Sequence, residues 1–524
     1  MKVAISYVST EQASLNMKTE IPHWDFDRVV EESKTEWNEW LGRIQVEGKD
    51  EVAKKRFYTD LFHALQGRRI VSDVNGKYLD MTGDKPRAGQ IPLKANGQPK
   101  FNHHNFDAMW GAQWTINTLW HLVYPEVTES FINSMLMMYD DGGLIPRGPA
   151  GGNYTYVMTG ASSTPFIVSA YQKGIRGFDI QKAYEGMRKN HFPGGMMSKA
   201  GYEHKTFKGG GIEYYMERGY VPHPISPIRY GFHMDGSAQT LEYAYQDFSL
   251  AQMSKALGKT DDYQLLMKRS QNFKNIWNPE LGWMWIKNLD GNWEKSVDIL
   301  RYDHGWEEGN SAQWTWFVPH DLKGLASLMG GNDKAVAKLN ESFEKASAHD
   351  FVSGKSHDKE TQEENRRVYL NFGNQPSIQT SYIFNQIGAP WLTQKWTRKV
   401  IEKVYSGLSP NYGYSGDEDQ GLMGSLAVLM KIGIFSMDGG VAQTPYYDLS
   451  SPIFDKIEIK LNPDFYPGKI ISIETKNNSQ DNVYIQQASF NGKPIKSWIS
   501  HPDLIKGGKI TYLLGAKPNK SFGQ

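Results

Sequence analysis

The chain has 524 residues, and its 58 Lys and Arg balance 58 Asp and Glu, so the formal net charge is zero. Without a long run of one sign, the composition excludes a nucleic-acid or polybasic membrane role and favours an uncharged partner. The absence of cysteine excludes disulfides and thiol chemistry. No stretch of about 18 apolar residues occurs, and the first residues lack a signal-peptide pattern.

Aromatic residues make up 13% of the chain. Trp and Tyr have flat apolar faces with a polar edge, which suits both a large core and stacking on sugar rings. Core filling is the favoured interpretation, because large helical proteins need big side chains between their helices.

The N-terminal segment is predicted to be a strand. Residues 3–8 alternate apolar and small or polar side chains, and a loop is predicted to follow them. One strand is not stable alone, so residues 1–26 are interpreted as the remnant of an upstream β-domain and a linker.

Residues 27–436 carry a helical pattern and are predicted to form an (α/α)6 barrel, a toroid of paired helices. A solenoid is the alternative, but no self-similarity with a period of about 30 to 45 residues is visible. The clearest predicted helices cover residues 51–65, 108–123, 128–138, 163–173, 180–189, 237–257, 261–277, 312–329, 334–348, 377–386, 393–404 and 420–434.

The pattern after residue 436 returns to strands, so residues 437–524 are predicted to form a small C-terminal β-unit. Four strands are predicted, and Asn491-Gly492 marks a turn between two of them. Their expected ranges are 456–461, 469–474, 483–490 and 509–514.

Three predicted loops combine carboxylates, glycine and aromatic residues, at positions 306–314, 373–377 and 416–421. Inverting glycoside hydrolysis needs an acid and a base about 6.5–9.5 Å apart. Glu308 and the pair Asp417 and Asp419 are therefore candidates for acid and base. The alternatives are helix caps for these carboxylates and an ordinary proline turn for residues 374–377. The acidic loop does not match the spacing of a calcium hand.

The sequence resembles glycoside hydrolase family 92, the calcium-dependent exo-α-mannosidases, in order along nearly the whole chain. The motifs that carry the resemblance are Glu308-Gly309-Asn310 with Gln313-Trp314, Pro319-His320-Asp321, Thr240-Leu241-Glu242-Tyr243-Ala244 and the stretch 416–421.

The resemblance implies an inverting mechanism with Glu308 as general acid, Asp419 as general base and Asp417 as its partner in holding water. It also implies a Ca²⁺ ion beneath the sugar, with Asn374, Gln375 and Ser377 as expected ligands. The expected sugar-binding residues are Trp110, Gln113, Trp306, Asn310, Gln313, Asn374 and Gln375.

The chain departs from the family in four ways. Residues 110–114 read Trp-Gly-Ala-Gln-Trp where the family has Trp-Asp-Thr-aromatic-Arg, and a His and an Asp expected near Ser162 and Ser169 are absent. Asn374-Gln375 replaces the His-Glu pair of α1,2-specific members, which predicts another linkage, α1,3. The N-terminal β-sandwich of the family is not evident, and the parent protein is expected to be an exported bacterial one.

The predicted function is therefore an exo-acting α-mannosidase that acts on mannose-containing oligosaccharides of N-glycans or mannan. One alternative is an inverting α-glycosidase for another sugar, which the altered 110–114 motif allows. A second is an inactive glycan-binding fragment. A lyase acting on acidic polysaccharide is disfavoured, because it needs a basic groove that the charge balance does not indicate.

Overall fold

A computed structural model describes residues 1–199, 210–224, 235–411 and 413–523, without the side chain of residue 357. In this part of the chain the helices are α1 (Thr10–Glu20), α2 (Phe26–Leu41), α3 (Glu51–Ala64), α4 (Ile116–Val123), α5 (Pro125–Gly142), α6 (Ser163–Gln172), α7 (Ile180–Asn190), α8 (Ile212–Arg218), α9 (Gly236–Ala256), α10 (Thr260–Arg269), α11 (Ser311–Trp314), α12 (Leu322–Leu328), α13 (Asn332–Ser347), α14 (His357–Glu360), α15 (Glu363–Arg366), α16 (Thr380–Gln386), α17 (Pro390–Val404), α18 (Leu422–Ile432) and α19 (His501–Leu504).

The strands are short before residue 440 and longer after it. They are β1 (Ile44–Glu47), β2 (Arg69–Ile70), β3 (Lys77–Asp80), β4 (Arg87–Gln90), β5 (His104–Asn105), β6 (Pro149–Ala150), β7 (Asn153–Tyr154), β8 (Trp277–Asn278), β9 (Trp283–Met284), β10 (Ile434–Phe435), β11 (Tyr446–Leu449), β12 (Lys456–Lys460), β13 (Ile470–Lys476), β14 (Tyr484–Phe490), β15 (Lys493–Pro494), β16 (Trp498–Ser500) and β17 (Gly508–Gly515).

Helices α9 and α18 form the centre of the helical region. Every residue of α18 is buried, and α9 is buried along nearly its whole length. Helix α9 packs against α6 and α10, and α18 packs against α3 and α17. A helix that is buried on all sides must be enclosed by others, whereas outer helices such as α2 keep exposed faces. The structure is therefore helix-rich with a small sheet, and none of the described helices combines the length and apolarity that a membrane crossing needs.

The main sheet unites the C-terminal strands with one strand from the start of the chain. Its strand order is β1-β12-β13-β17-β14-β15. Strand β1 pairs antiparallel with β12, with Ile44 opposite Ile459, while β13 and β17 are parallel. The four predicted C-terminal strands are confirmed, and β1 is an additional strand that the sequence did not indicate.

The strand predicted for residues 3–8 is wrong. These residues form no strand, and Ser9 instead caps helix α1, its Oγ accepting from Gln12 N at 3.3 Å. The side-chain amide of Asn16 donates to Ile5 O at 3.0 Å and to Asp73 Oδ1 at 2.8 Å. Side-chain contacts therefore hold the segment, and alternation over six residues does not distinguish such a loop from a strand.

Three long predicted helices are interrupted in the structure. The helix predicted at 261–277 ends with α10 at Arg269, and a 3₁₀ turn and strand β8 follow it. The helix predicted at 312–329 is divided into α11 and α12, with Pro319 between them, because proline cannot donate the backbone hydrogen bond of a continuous helix. The helix predicted at 108–123 begins only with α4, since Gly111 has a φ of +72° and a short 3₁₀ turn follows it.

A buried charge cluster joins α3, α18 and the chain that leads into the 416–421 loop. Asp60 is fully buried and accepts from Arg56 Nε at 2.8 Å, Tyr414 Oη at 2.7 Å and Lys431 Nζ at 2.6 Å. Arg56 also donates to the carbonyls of Gly407 and Gly413, each at 2.6 Å. The cluster therefore fixes the segment before the acidic loop to the helical scaffold.

Replacing Asp60 by Asn should destabilise the protein strongly, because Arg56 and Lys431 would remain buried without a countercharge. We expect a loss of about 3–5 kcal/mol in the free energy of unfolding, measured by urea titration. The exposed Asp27 offers the control, since Asp27→Asn should change stability by less than about 0.5 kcal/mol. An equally small effect at Asp60 would show that the cluster does not stabilise the fold.

Candidate active site

The structure brings two of the three predicted loops into direct backbone contact. A Cβ atom on Gly416 would lie 2.3 Å from the carbonyl oxygen of Gly373, so a larger residue at 416 would force the loops apart. The Gly373 loop is fixed from its own side, because Gly373 N donates to Asn371 Oδ1 at 2.9 Å. The third loop, around residue 308, joins them through side chains.

Glu308 is held by Asn374. The Nδ2 of Asn374 donates to Glu308 Oε2 at 3.0 Å and to the Glu308 carbonyl oxygen at 3.2 Å. Glu308 is half-buried and has a φ of +41°, a left-handed conformation that is strained for a glutamate. Strain of this kind persists only where the surroundings enforce it, and here the amide of Asn374 does so.

Asp419 is held by the next residue along, Gln375, whose Nε2 donates to Asp419 Oδ2. Burial raises the pKa of Asp419 to about 7; the Gln375 hydrogen bond opposes this shift, and the negative charges of Asp417 and Glu418 reinforce it. A carboxylate with a pKa near neutrality is suited to accept a proton from water. Asp419 also has a left-handed φ, +58°.

The three carboxylates of the acidic loop differ in their contacts and in their exposure. Glu418 accepts from Gly421 N and Gly424 N, both at 2.8 Å, and so caps the start of α18. Asp417 is exposed, and Asp419 is half-buried beside Gln375. The cap alternative therefore applies to Glu418, which was not a predicted site residue.

Two of the residues predicted to bind sugar, Asn310 and Gln313, form hydrogen bonds within the chain. Asn310 Nδ2 and Gln313 Nε2 both donate to the carbonyl oxygen of Val368, at 3.0 and 3.1 Å. Asn310 also caps α11, its Oδ1 accepting from Gln313 N at 3.1 Å. These amides position the backbone that follows Glu308, and a role in sugar binding stays a prediction.

The predicted aromatic contacts are enclosed. Trp306 and Trp110 are both buried, so neither presents an open stacking face to solvent. Trp110 Nε1 donates to Glu242 Oε1 at 3.1 Å, and burial raises the pKa of Glu242 to about 8. Their roles in sugar binding also stay predictions.

Gly111 and Gln375 are packed too closely for a side chain at position 111. A Cβ atom on Gly111 would lie 2.6 Å from Gln375 Cγ. The neighbouring Gln113 is buried, and its Nε2 has no hydrogen-bond partner among the residues described. The altered 110–114 segment therefore borders the same amide that holds Asp419.

Arg147 is a site residue that the sequence did not indicate. It is 1% exposed, and its Nη2 donates to the carbonyl of Asp107 at 3.2 Å. Its Nε and Nη1 have no hydrogen-bond partner in the described part of the chain. Burial lowers its pKa to about 10, and the nearby carboxylates of Glu307 and Glu242 oppose the shift. A single Arg between Pro146 and Gly148 belongs to no periodic pattern, so only the fold reveals its charged neighbours.

A hard cation would find oxygen donors beside Asp419. Gln375 Oε1 and Ser377 Oγ are buried without a hydrogen-bond partner among the described residues, whereas Asn374 Oδ1 accepts from Gln375 N. The residues that the structure describes hold no group of three or more His, Cys, Asp or Glu side chains arranged for a metal. Gln375 and Ser377 thus offer two neutral oxygen donors, a type that Ca²⁺ accepts alongside carboxylates and backbone carbonyls.

The glycosyl hydrolase family 92 catalytic domain matches residues 12–516, almost the whole chain. The chain belongs to glycoside hydrolase family 92.

Family 92 structures share its fold. An inverting family 92 mannosidase of Bacteroides thetaiotaomicron is 28% identical, with a TM-score of 0.81 over 99% of this chain and 66% of that one. An α-mannosidase of the same family and organism, solved with mannoimidazole, is 26% identical, with a TM-score of 0.83 over 99% of this chain and 63% of that one.

A curated relative from the fungus Arthroderma benhamiae is described as an uncharacterized secreted glycosidase. It is 25% identical over 100% of this chain and 61% of its own length. The family 92 chain described here thus spans between 61% and 66% of these relatives.

Replacing Asp419 by Asn should raise the melting temperature at neutral and alkaline pH. The folded-state pKa of about 7 lies above the ordinary value near 3.9, so wild-type stability falls as pH rises from about 4 to about 7. The Asn variant lacks this loss, so its advantage should grow over that range to a few degrees. Thermal melts from pH 4 to pH 8 test this, with the exposed Asp481→Asn as control. A difference that stays constant with pH would contradict the shift.

Proposed function

We propose that this family 92 chain is an exo-acting α-mannosidase that hydrolyses its substrate with inversion, on an (α/α)6 barrel. The observation that carries the proposal is the pairing of Glu308 and Asp419, each held by one of two consecutive amides, with the pKa of Asp419 raised to about 7. The names of the two Bacteroides relatives, a mannosidase that inverts and an α-mannosidase bound to mannoimidazole, support it.

In the proposed reaction Glu308 donates a proton to the glycosidic oxygen as the bond from that oxygen to the anomeric carbon breaks. Asp419 accepts a proton from water as the water oxygen bonds to the anomeric carbon from the opposite face. Asp417, which raises the pKa of Asp419 through its charge, helps to orient this water. The proton taken up by Asp419 and the proton lost by Glu308 balance over one turnover.

A Ca²⁺ ion would be held by Gln375 and Ser377, whose buried oxygens are the donors available, together with backbone carbonyls near Asn374. When bound, such an ion supplies positive charge that binds sugar hydroxyls and favours the flattened ring of the transition state.

The proposed substrate is a terminal α-mannosyl residue of an N-glycan or mannan, in an α1,3 linkage and outside the producing cell. The secreted relative supports the location. The other candidate is an inverting α-glycosidase for a different sugar. The observation that favours it is Gln113, which stands where the family motif is expected to have an aromatic residue. Its Nε2 has no partner among the described residues and is available to donate to a sugar hydroxyl.

Release of free mannose from α1,2-, α1,3- and α1,6-mannobiose tests the function, and a parallel set of α-glucosides tests the alternative. We expect release of β-mannose, seen by NMR before mutarotation, and a loss of about 100-fold or more in kcat for Glu308→Gln and Asp419→Asn.

The exposed Glu344 serves as the control, since Glu344→Gln should retain full activity. No mannose from any substrate, or an active Glu308→Gln variant, would refute the assignment.

Calcium should raise the melting temperature if Ser377 contributes a ligand. At a calcium concentration of about 100 times Kd the expected stabilisation is about 2.7 kcal/mol, and Ser377→Ala should reduce it. Ser425 is the matched control, because its hydroxyl is also buried and has no partner among the described residues, but it lies on α18. Thermal melts with calcium, magnesium and chelator measure the effect. An equal calcium response in Ser377→Ala and wild type would remove Ser377 from the ligand set.

A further inference from the structure

A cleft of about 700 Å³ opens beside the loop that carries Asp419. Gln420, the next residue along the chain, lines this cleft together with Arg69 and Asp107. Gln420 has a left-handed φ of +58°, as Asp419 does, and two consecutive left-handed residues direct the backbone sharply at this point. The cleft and the reacting carboxylate are therefore fixed by one short stretch of chain.

The polar wall of the cleft is a set of three paired side chains. Gln420 Nε2 donates to Asp107 Oδ1 at 2.7 Å, and Arg69 Nη2 lies 3.4 Å from the same oxygen. Arg69 Nη2 also donates to Gln420 Oε1. The positive and negative charges cancel, while planar donors and acceptors remain half-exposed. Such a wall suits a neutral ligand with many hydroxyl groups better than an ion.

Two glycines of the cleft lining permit a flat ring to approach closely. Gly151 and Gly152 both line the cleft with positive φ values, 58° and 78°. A Cβ atom on Gly151 would meet no other atom within 4 Å, whereas one on Gly152 would lie 2.4 Å from the carbonyl of Leu79. The backbone at Gly151 thus faces open space, while Gly152 packs closely against Leu79.

Apolar surface is present in the same cleft. Tyr7 is 59% exposed and Ile70 is 53% exposed, and both line it. A tyrosine ring offers a flat apolar face on which the C–H side of a pyranose stacks. The hydroxyl groups of the pyranose then form hydrogen bonds with polar neighbours. Ligand cavities of small molecules usually have volumes of about 300–1,000 Å³, so one or two sugar rings fit.

We propose that this cleft is a second carbohydrate subsite, which binds a neutral pyranose of the glycan other than the sugar that is cleaved. Arg69, Asp107 and Gln420 bind its hydroxyl groups, and Tyr7 stacks on its ring. The inference rests on the proposed function for the identity of the glycan, but the recognition itself depends only on the cleft.

The test compares a substrate that reaches the cleft with one that does not. The longer substrate is an α-mannotriose joined by the linkage that the protein hydrolyses, and the shorter one is 4-nitrophenyl α-mannoside. The ratio of kcat/KM for the first to kcat/KM for the second is measured in the wild type, Arg69→Ala and Asp107→Ala. Loss of one such hydrogen bond to a charged group should lower this ratio about tenfold. Arg188→Ala is the matched control, since Arg188 is 47% exposed against 48% for Arg69 and also pairs with an aspartate. Its ratio should be unchanged.

Titration calorimetry with mannotriose separates this inference from the proposed function. If the wild type hydrolyses neither substrate, the proposed function fails, and weaker mannotriose binding by about tenfold in Arg69→Ala and Asp107→Ala still supports the subsite. An unchanged ratio in both variants, or mannotriose affinities equal to that of the wild type, would overturn it. Arg69 is half-exposed, so Arg69→Ala decides the question if Asp107→Ala does not fold.

Discussion

The consecutive amides of Asn374 and Gln375 hold the two carboxylates on which the candidate site depends. One amide donates to Glu308 and the next to Asp419, so the spacing of the carboxylates is set by a single short turn. The close backbone contact of Gly373 with Gly416 holds this turn in place. A shift of this turn would therefore disturb the hydrogen bonds of both carboxylates at once.

The same arrangement sets the chemistry of Asp419 at a cost in stability. Burial raises its pKa, which suits a base, but an ionised carboxylate in that place destabilises the folded state. The Asp60 cluster offsets this, because Arg56 and Tyr414 attach the chain before the acidic loop to α3. The loop can remain strained at Asp419 because the segment that enters it is firmly held.

The sequence located most of the periodic elements, although it overestimated the length of some helices, and it predicted single contacts poorly. The helix expected at 180–189 is observed as Ile180–Asn190, because its apolar face repeats over several turns. Strand β1 was missed, since its four residues pair with a strand more than 400 positions later. Glu308 and Asp419 were indicated by motif, but the buried charge of Arg147 depends on carboxylates that only the fold brings near.

Two positions at which the sequence is predicted to depart from the family pattern lie in contact in the structure. The resemblance implies that Gly111 stands where the family has an acid, and that Gln375 stands where α1,2-specific members have a Glu. A side chain at 111 would clash with Gln375 Cγ, and the positive φ of Gly111 disfavours one as well. The absence of a side chain at position 111 leaves room for Gln375, whose hydrogen bond opposes the raised pKa of Asp419. The segment at 110–114 thus acts on Asp419 through the packing of Gly111 against Gln375.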